Sequence, residues 1–329
     1  VRIAVVKTGG KTPKLLECVS APIEQLAGEA PAEAWVRAVQ QAAGQIKSKP
    51  SFYVLCASSQ WSVARLLRIP FKGRSRVAAA VQFELEPHLA FPIEQLVVDY
   101  LPIREIDGET QVIVVGLRRE ALEEQLAALE GAGLRVEGIG LDAVGLTALW
   151  QARAGKRDGL HAVLHVRRET AIVAVVYGKT LAYIRNVSAT AARFQENPGA
   201  AARDVSNILR AFTASWGGDE EIQTLSVTGL ELFDEERALF QAEVPAAVEF
   251  VNLANSIKGA ANAADAYLGC IGAAECAAGG AFALNFMKDD LSTTASRGGV
   301  FPHLAFTAAL GAVALGAYAA YCVMDYRWM

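Results

Sequence analysis

The chain has little with which to grip nucleic acid, build a disulfide frame or hold a metal. Its 31 basic residues are outnumbered by 35 acidic ones, for a net charge of −4. No basic stripe gathers on one segment, so nucleic acid is not an expected partner. The 5 cysteines, Cys18, Cys56, Cys270, Cys276 and Cys322, are odd in number, scattered, and mostly set in apolar surroundings such as VLCAS and YLGCIG. That is the pattern of reduced thiols, not of paired ones. Histidine is scarce, at 4 residues. His161 and His165 would share one face of a strand, but no Cys, Asp or Glu at ligand spacing joins them, so packing is the expected role and metal is not. Residues 1–6 carry a charge at the second position and run straight into a strand pattern, unlike a secretory signal. The sequence TGGKT near the start lacks the glycine that a phosphate-binding P-loop needs five residues before Gly10; Val5 stands there, and a hairpin turn is the expected role. No Ser-His-Asp or Cys-His arrangement stands out.

What the chain does have is a C-terminal apolar run. Residues 301–323 read FPHLAFTAALGAVALGAYAAYCV, with no charge. Roughly 20 apolar residues at the helical rise cross a bilayer, so a single transmembrane helix is expected there. Lys288 and Arg297 precede the run and Arg327 follows it, so by the positive-inside bias the bulk of the chain is expected on the cytoplasmic side of the membrane. Ala308, Ala312, Gly316 and Ala320 repeat at four-residue spacing, a small-residue face suited to helix pairing. A homodimer or another single-span protein is the expected partner of that face.

Ahead of the run lie two α/β halves. In the first, residues 1–7 and 15–19 read as a β-hairpin, 32–46 as an amphipathic helix, 52–57 as a buried strand, and 77–89 as a helix until Pro87. Strands follow at 96–101 and 111–116, a helix at 118–131, a strand at 135–139, and a helix from Asp142, read as its N-cap. The second half repeats the theme, with strands at 161–165, 170–176 and 181–187, a helix at 200–216, a strand at 224–227, and helical composition at 231–241 and 257–269. Two β-meanders, each continued by helices, suggest duplicated lobes around mixed sheets. Residues 277–299 turn Gly, Ser and Thr rich and read as a linker to the membrane.

One stretch is similar to a known family. Ile69–Pro70–Phe71, followed by VQFELEPHLAFPIEQLVVDY, resembles the PilM family's E-x-E helix, P-F-P turn and strand ending in DY. Glu84, Glu86, Phe91, Pro92, Asp99 and Tyr100 stand at matching places, and Ala90 departs where the first turn proline would be. The stretch GLRREALEEQLAALEGAGLRVEGIGLDAVGL is similar to the family's next helix, turn and strand. The resemblance covers most of residues 1–275 and implies the actin-like (FtsA-related, ribonuclease H-like) fold. It implies lobe I with a PilM-type insert over 1–155, lobe II over 156–276, a linker over 277–300 and the membrane helix over 301–323. PilM grips a short N-terminal peptide of its membrane partner PilN that resembles (I/L)NLLP. Here Leu284, Asn285 and Phe286 stand between the actin-like part and the apolar run, so the layout resembles that of GspL-type proteins of type II secretion.

Actin-like ATPases wrap phosphates with Asp-x-Gly hairpins, whose backbone N–H groups donate and whose carboxylate organises Mg²⁺. By the resemblance, the second such hairpin falls in VLHVRRET. His165 replaces the carboxylate, Arg167 replaces the glycine, and only Thr170 remains. Of the adenosine turn, only Gly229 remains. The expectation is a degenerate pocket near His165, Arg167, Thr170 and Gly229, with no cofactor and no enzyme activity. The alternative is a nucleotide-binding adaptor or ATPase in which Arg167 or Arg168 neutralises phosphate. The function the resemblance implies is a protein-transport scaffold: an inner-membrane platform component of a type II secretion or type IV pilus assembly machine. Its expected partners are the cytoplasmic assembly ATPase and PilN/PilO- or GspM-like membrane proteins.

Overall fold

The computed structural model describes residues 1–8, 12–155, 157–259, 265–279, 282, 284–287 and 291. Residues 1–286 form one body. The expected membrane span at 301–323, with Ala308, Ala312, Gly316 and Ala320, lies outside the described residues. No helix among those described is long and apolar enough to cross a membrane.

Lobe I opens with the hairpin β1 (Arg2–Lys7) and β2 (Lys14–Ser20), followed by α1 (Pro31–Ala43) and β3 (Tyr53–Ala57). An insert then begins with β4 (Ser62–Ile69), α2 (Arg74–Leu85), β5 (Leu96–Ile106) and β6 (Glu109–Arg118). The chain returns through α3 (Arg119–Gly131) to β7 (Val136–Leu141) and α4 (Asp142–Ala154). β1 and β2 pair antiparallel, and β3 and β7 pair parallel. The insert is a three-stranded antiparallel sheet in the order β4-β6-β5. Val77, Val81 and Leu85 of α2 fall three or four residues apart and bury one stripe of that helix against Leu67, Ile69, Val112 and Val114.

Lobe II runs through β8 (Leu160–Val166), β9 (Ala171–Tyr177), β10 (Thr180–Val187), α5 (Ala191–Glu196), α6 (Pro198–Trp216), β11 (Ile222–Thr228), α7 (Asp234–Glu243) and β12 (Ala247–Phe250), after which α8 (Leu268–Ala277) packs back on α4, β3 and β7 of lobe I. Its sheet has the order β10-β9-β8-β11-β12. The meander pairs antiparallel, while β11 and β12 add in parallel beside β8. Every residue of β8 is buried, which is why its sequence is apolar without clean alternation. One face packs on Phe194, Phe212, Trp216 and Phe240 from the helices. The other face carries His161 and His165 and lies near α4, which is itself buried from Asp142 to Gln151. Asn197 caps α6 by accepting from the Ala200 N–H at 3.1 Å, and Pro198 takes its first position.

Arg104 ties the insert to lobe II, and beside it Gln111 Nε2 donates to the Trp216 carbonyl at 3.0 Å. The Arg104 guanidinium lies 3.9 Å from the Trp216 ring centroid. It also donates to Glu220 at 2.7 Å, Gln111 at 2.8 Å and the Trp216 carbonyl at 3.2 Å. A planar fork that stacks and donates at once is the chemistry of Arg and not of Lys.

The sequence expectations need several corrections. The structure adds β4, α5 and β12 to the elements expected from the sequence. Residues 257–259 are not helical. Lys258 runs beside β2, taking a bond from Leu15 N at 2.9 Å and giving one to Pro13 O at 3.1 Å, and α8 begins at Leu268. Asp142 is not an N-cap; Leu141 holds that position, and the carboxylate is used in tertiary contacts instead.

Candidate functional site

A cleft of about 1530 Å³ opens between the lobes. It is bordered by β1, the carboxyl end of β3, the start of α8, the β8–β9 turn and the turn after β11. His165, Arg167, Thr170 and Gly229, expected together from the sequence, all line it. Arg167 and Thr170 are the two ends of the β8–β9 turn, closed by a bond from Arg167 N to Thr170 O of 2.7 Å. Gly229 has φ +71°, and a Cβ there would stand 2.2 Å from the Val166 carbonyl oxygen, so only glycine fits.

His165 is not a surrogate carboxylate. It is buried at the end of β8, opposite Thr228 in the β8–β11 register. Its Nδ1 meets the Thr228 hydroxyl in a short hydrogen bond. Burial first, and the nearby Arg167 second, push its pKa down to about 3, so the ring is neutral at physiological pH. Its companion His161 contacts the Thr224 hydroxyl at 2.9 Å and the Asp158 carbonyl at 3.1 Å. Burial lowers its pKa too, as the largest cause. Among the described residues, no group of three or more His, Cys, Asp or Glu side chains stands where it could hold a metal.

Arg167 reaches across the cleft floor. Its Nη1 lies 2.7 Å from Oδ2 of Asp142, whose side chain is only 7% exposed. The other oxygen, Oδ1, accepts from Ser59 N at 2.8 Å and from Ala143 N at 2.6 Å. Ser59, in the turn between β3 and β4, is fully buried. It is held from lobe II as well: the Asn186 side-chain amide donates to the Ser59 carbonyl at 2.6 Å, and the Ser59 hydroxyl donates to Asn186 Oδ1 at 3.1 Å. Lobe I therefore meets lobe II through a chain of charge-assisted and neutral hydrogen bonds at the place where the resemblance puts phosphate and metal. Arg168 is different, with 94% of its side chain exposed and Glu169 3.4 Å away. Sequence reading missed Ser59 and Asn186, which belong to no motif.

A second feature lies on the other side of lobe I. After α8 the chain passes Phe282, at φ +59°, and then extends. Leu284 and Phe286 are buried, at 7% and 0% exposure, while Asn285 between them points to solvent. The Asn285 N–H donates to Oδ2 of Asp99 on β5 at 2.8 Å. The Phe286 N–H donates to the Ile139 carbonyl on β7 at 3.3 Å. The segment thus lies between β7 and the inserted sheet, its N–H groups bonding to a β7 carbonyl and to a β5 carboxylate, with alternate side chains inward as in an extended strand. Asp99 is the acidic residue of the DY motif, so that motif bears directly on the segment.

No protein-family model and no curated protein sequence matches the chain. Solved structures do match. A chain of the PilM–PilN type IV pilus biogenesis complex aligns with a TM-score of 0.63 at 18% identity, over 84% of this chain and 93% of that one. The cytoplasmic domain of EpsL, an inner-membrane component of the type II secretion system of Vibrio cholerae, aligns with a TM-score of 0.50 at 12% identity, over 88% and 94%. At these identities the likeness establishes the fold: the chain has the PilM- and EpsL-type actin-like α/β architecture expected from its sequence.

Proposed function

We propose that this protein is an inner-membrane platform scaffold of a type II secretion or type IV pilus assembly machine, with its actin-like body in the cytoplasm and residues 301–323 as its single membrane span. In this reading the body holds the cytoplasmic assembly ATPase, and the span pairs with a second copy or with PilN/PilO- or GspM-like proteins. The observation that carries the proposal is the seating of Leu284, Asn285 and Phe286 on the body. The chain leading toward the apolar run is held on the body by the Asn285 N–H to the Asp99 carboxylate, the Phe286 N–H to the Ile139 carbonyl and two buried side chains. Likeness to a PilM–PilN complex and to an inner-membrane secretion component supports the setting.

In the same reading the cleft is a joint and not a nucleotide site. Arg167 engages Asp142, Glu169 lies against Arg168, and His165 is neutral; these two are the carboxylates lining the cleft among the described residues. The test is calorimetry of the full chain in detergent micelles against Mg-ATP, together with co-purification of the assembly ATPase from membranes. Retention of the ATPase with no heat at millimolar nucleotide is the expected result. Micromolar binding would overturn the joint reading and favour a nucleotide-responsive adaptor or ATPase, which the volume of the cleft and the surviving Thr170 and Gly229 would accommodate.

A further inference from the structure

Cys270, in the first turn of α8, meets Cys56 of β3 at the edge of the cleft. α8 packs on both β3 and β7. Its position is fixed by a close crossing with α4: a Cβ on Gly272 would lie 2.0 Å from the Gly145 carbonyl oxygen, and one on Gly145 would lie 2.5 Å from Ala273 N. Two helices that touch backbone to backbone leave no room for α8 to slide, so Cys270 is held over β3. Cys56 stands opposite Gly140 in the β3–β7 register, where the neighbouring strand has no side chain to cover the sulfur. The two thiols hydrogen-bond to each other. Both are half-buried and both line the cleft, whereas Cys18 and Cys276 do not line it.

We infer that Cys270 and Cys56 form a redox-responsive dithiol at the cleft wall, with Cys270 the thiol that attacks a low-molecular-weight disulfide and Cys56 the resolving thiol. The order of attack follows from the contact. The hydrogen bond from Cys56 stabilises a Cys270 thiolate and is the largest cause of its lowered pKa, with Arg2 and Arg167 also favouring the charged form. The same bond and burial raise Cys56. The thiolate is the nucleophile in exchange. Cys270 sulfur attacks one sulfur of oxidised glutathione, forming a mixed disulfide and expelling one glutathione thiolate. Cys56 then loses its proton and attacks the Cys270 sulfur, forming the intramolecular disulfide and expelling the second glutathione. Two protein thiols are oxidised and one glutathione disulfide is reduced to two thiols. In a reducing cytoplasm the pair rests as the dithiol. Oxidation fastens the first turn of α8 to β3 beside Asp142, which lies close enough that a Cβ on Gly269 would be 3.0 Å from its Cβ.

The test uses the full chain in detergent, folded, exposed to oxidised glutathione, quenched with an alkylating agent and mapped by peptide mass spectrometry. The expected result is a Cys56–Cys270 cross-linked peptide, with thiols titratable in denaturant falling from the 5 of the sequence by two. In Cys56→Ser a single glutathione should remain on Cys270, and in Cys270→Ser position 56 should stay unmodified. Adducts on Cys18 or Cys276 with no Cys56–Cys270 peptide in the wild-type chain would overturn the inference, whatever the variants do.

Discussion

Asp142 and Arg167 face each other across the lobes at 2.7 Å, and the same Asp142 carboxylate holds the buried N–H of Ser59 at 2.8 Å. The two residues are not symmetric. Asp142 has three partners and a side chain that is 7% exposed, while Arg167 is 34% exposed toward the cleft. Removing the acid strands a cation and two backbone donors, whereas removing the base leaves a carboxylate with two donors and solvent within reach. Asp142→Ala should therefore destabilise the fold by about 3–5 kcal/mol, and Arg167→Met by about 1–2 kcal/mol. Urea unfolding of both variants checks this order, and equal losses would mean that the Ser59 anchor carries no weight.

The neutral His165 makes stability fall in acid. Its pKa is 6.5 in an ordinary setting and about 3 in the fold. Below 6.5 the unfolded chain takes up a proton that the folded chain refuses. Its contribution is thus fully present above 6.5 and is lost as pH falls toward 3, by about 1.4 kcal/mol per unit. The stability of a His165→Gln variant, measured by urea unfolding from pH 7 to pH 4, should lack this part of the slope. A wild-type and variant pair with parallel pH profiles would show that the imidazole is protonated in place.

Much of the fold is written in local patterns, and the joint between the lobes is not. The β8 and β9 runs HAVLH and AIVAVV are readable because burial on both faces demands apolar, β-branched residues. The α6 boundaries are marked by Asn197, Pro198 and Gly217, whose capping roles are local. By contrast, GCIGAAECA is rich in residues that weaken an isolated helix, and α8 exists because Gly272 lets it touch Gly145. Asp142 before a helix looks like a cap on sequence grounds. Only the tertiary arrangement shows its carboxylate spent on Ser59 and Arg167. Ser59 and Asn186 bond to each other across 127 positions of the chain, and the Ser59 N–H bonds to Asp142 across 83; such pairings leave no spacing to detect. Leu284 and Phe286 are singled out in the sequence by their resemblance to the PilN peptide, while their partners Asp99 and Ile139 come from the tertiary arrangement.

Two glycines with positive φ should respond differently to the same substitution. Gly229 has φ +71° and no space, since a Cβ would meet the Val166 backbone oxygen at 2.2 Å. Gly178 has φ +60° with open space around it. Gly178→Ala should cost about 1 kcal/mol, the left-handed penalty alone. Gly229→Ala should exceed it by about 2 kcal/mol or more, because backbone must shift. Thermal unfolding of the pair decides it, and a Gly229→Ala variant as stable as Gly178→Ala would mean that the turn after β11 yields freely.

The segment at 284–286 should come off the body without unfolding it. Phe286 is fully buried and Leu284 nearly so, but they lie at the end of the body and no strand of either lobe threads through them. Replacing a fully buried Phe by Ala typically removes about 3–5 kcal/mol. Here that energy holds only the segment in its groove, so its loss should appear as local opening. In Phe286→Ala, hydrogen exchange at the amides of Asn285 and Phe286 should accelerate by about a hundredfold or more, each 1.4 kcal/mol being about tenfold. Amides of the buried strands, such as Val163 and Val173, should be unchanged. Asp99→Ala removes one acceptor and should weaken the segment by about 1–2 kcal/mol, speeding exchange at Asn285 without expelling the Phe286 ring. Equal acceleration in the β8 and β9 amides would show instead that the segment is part of the cooperative core.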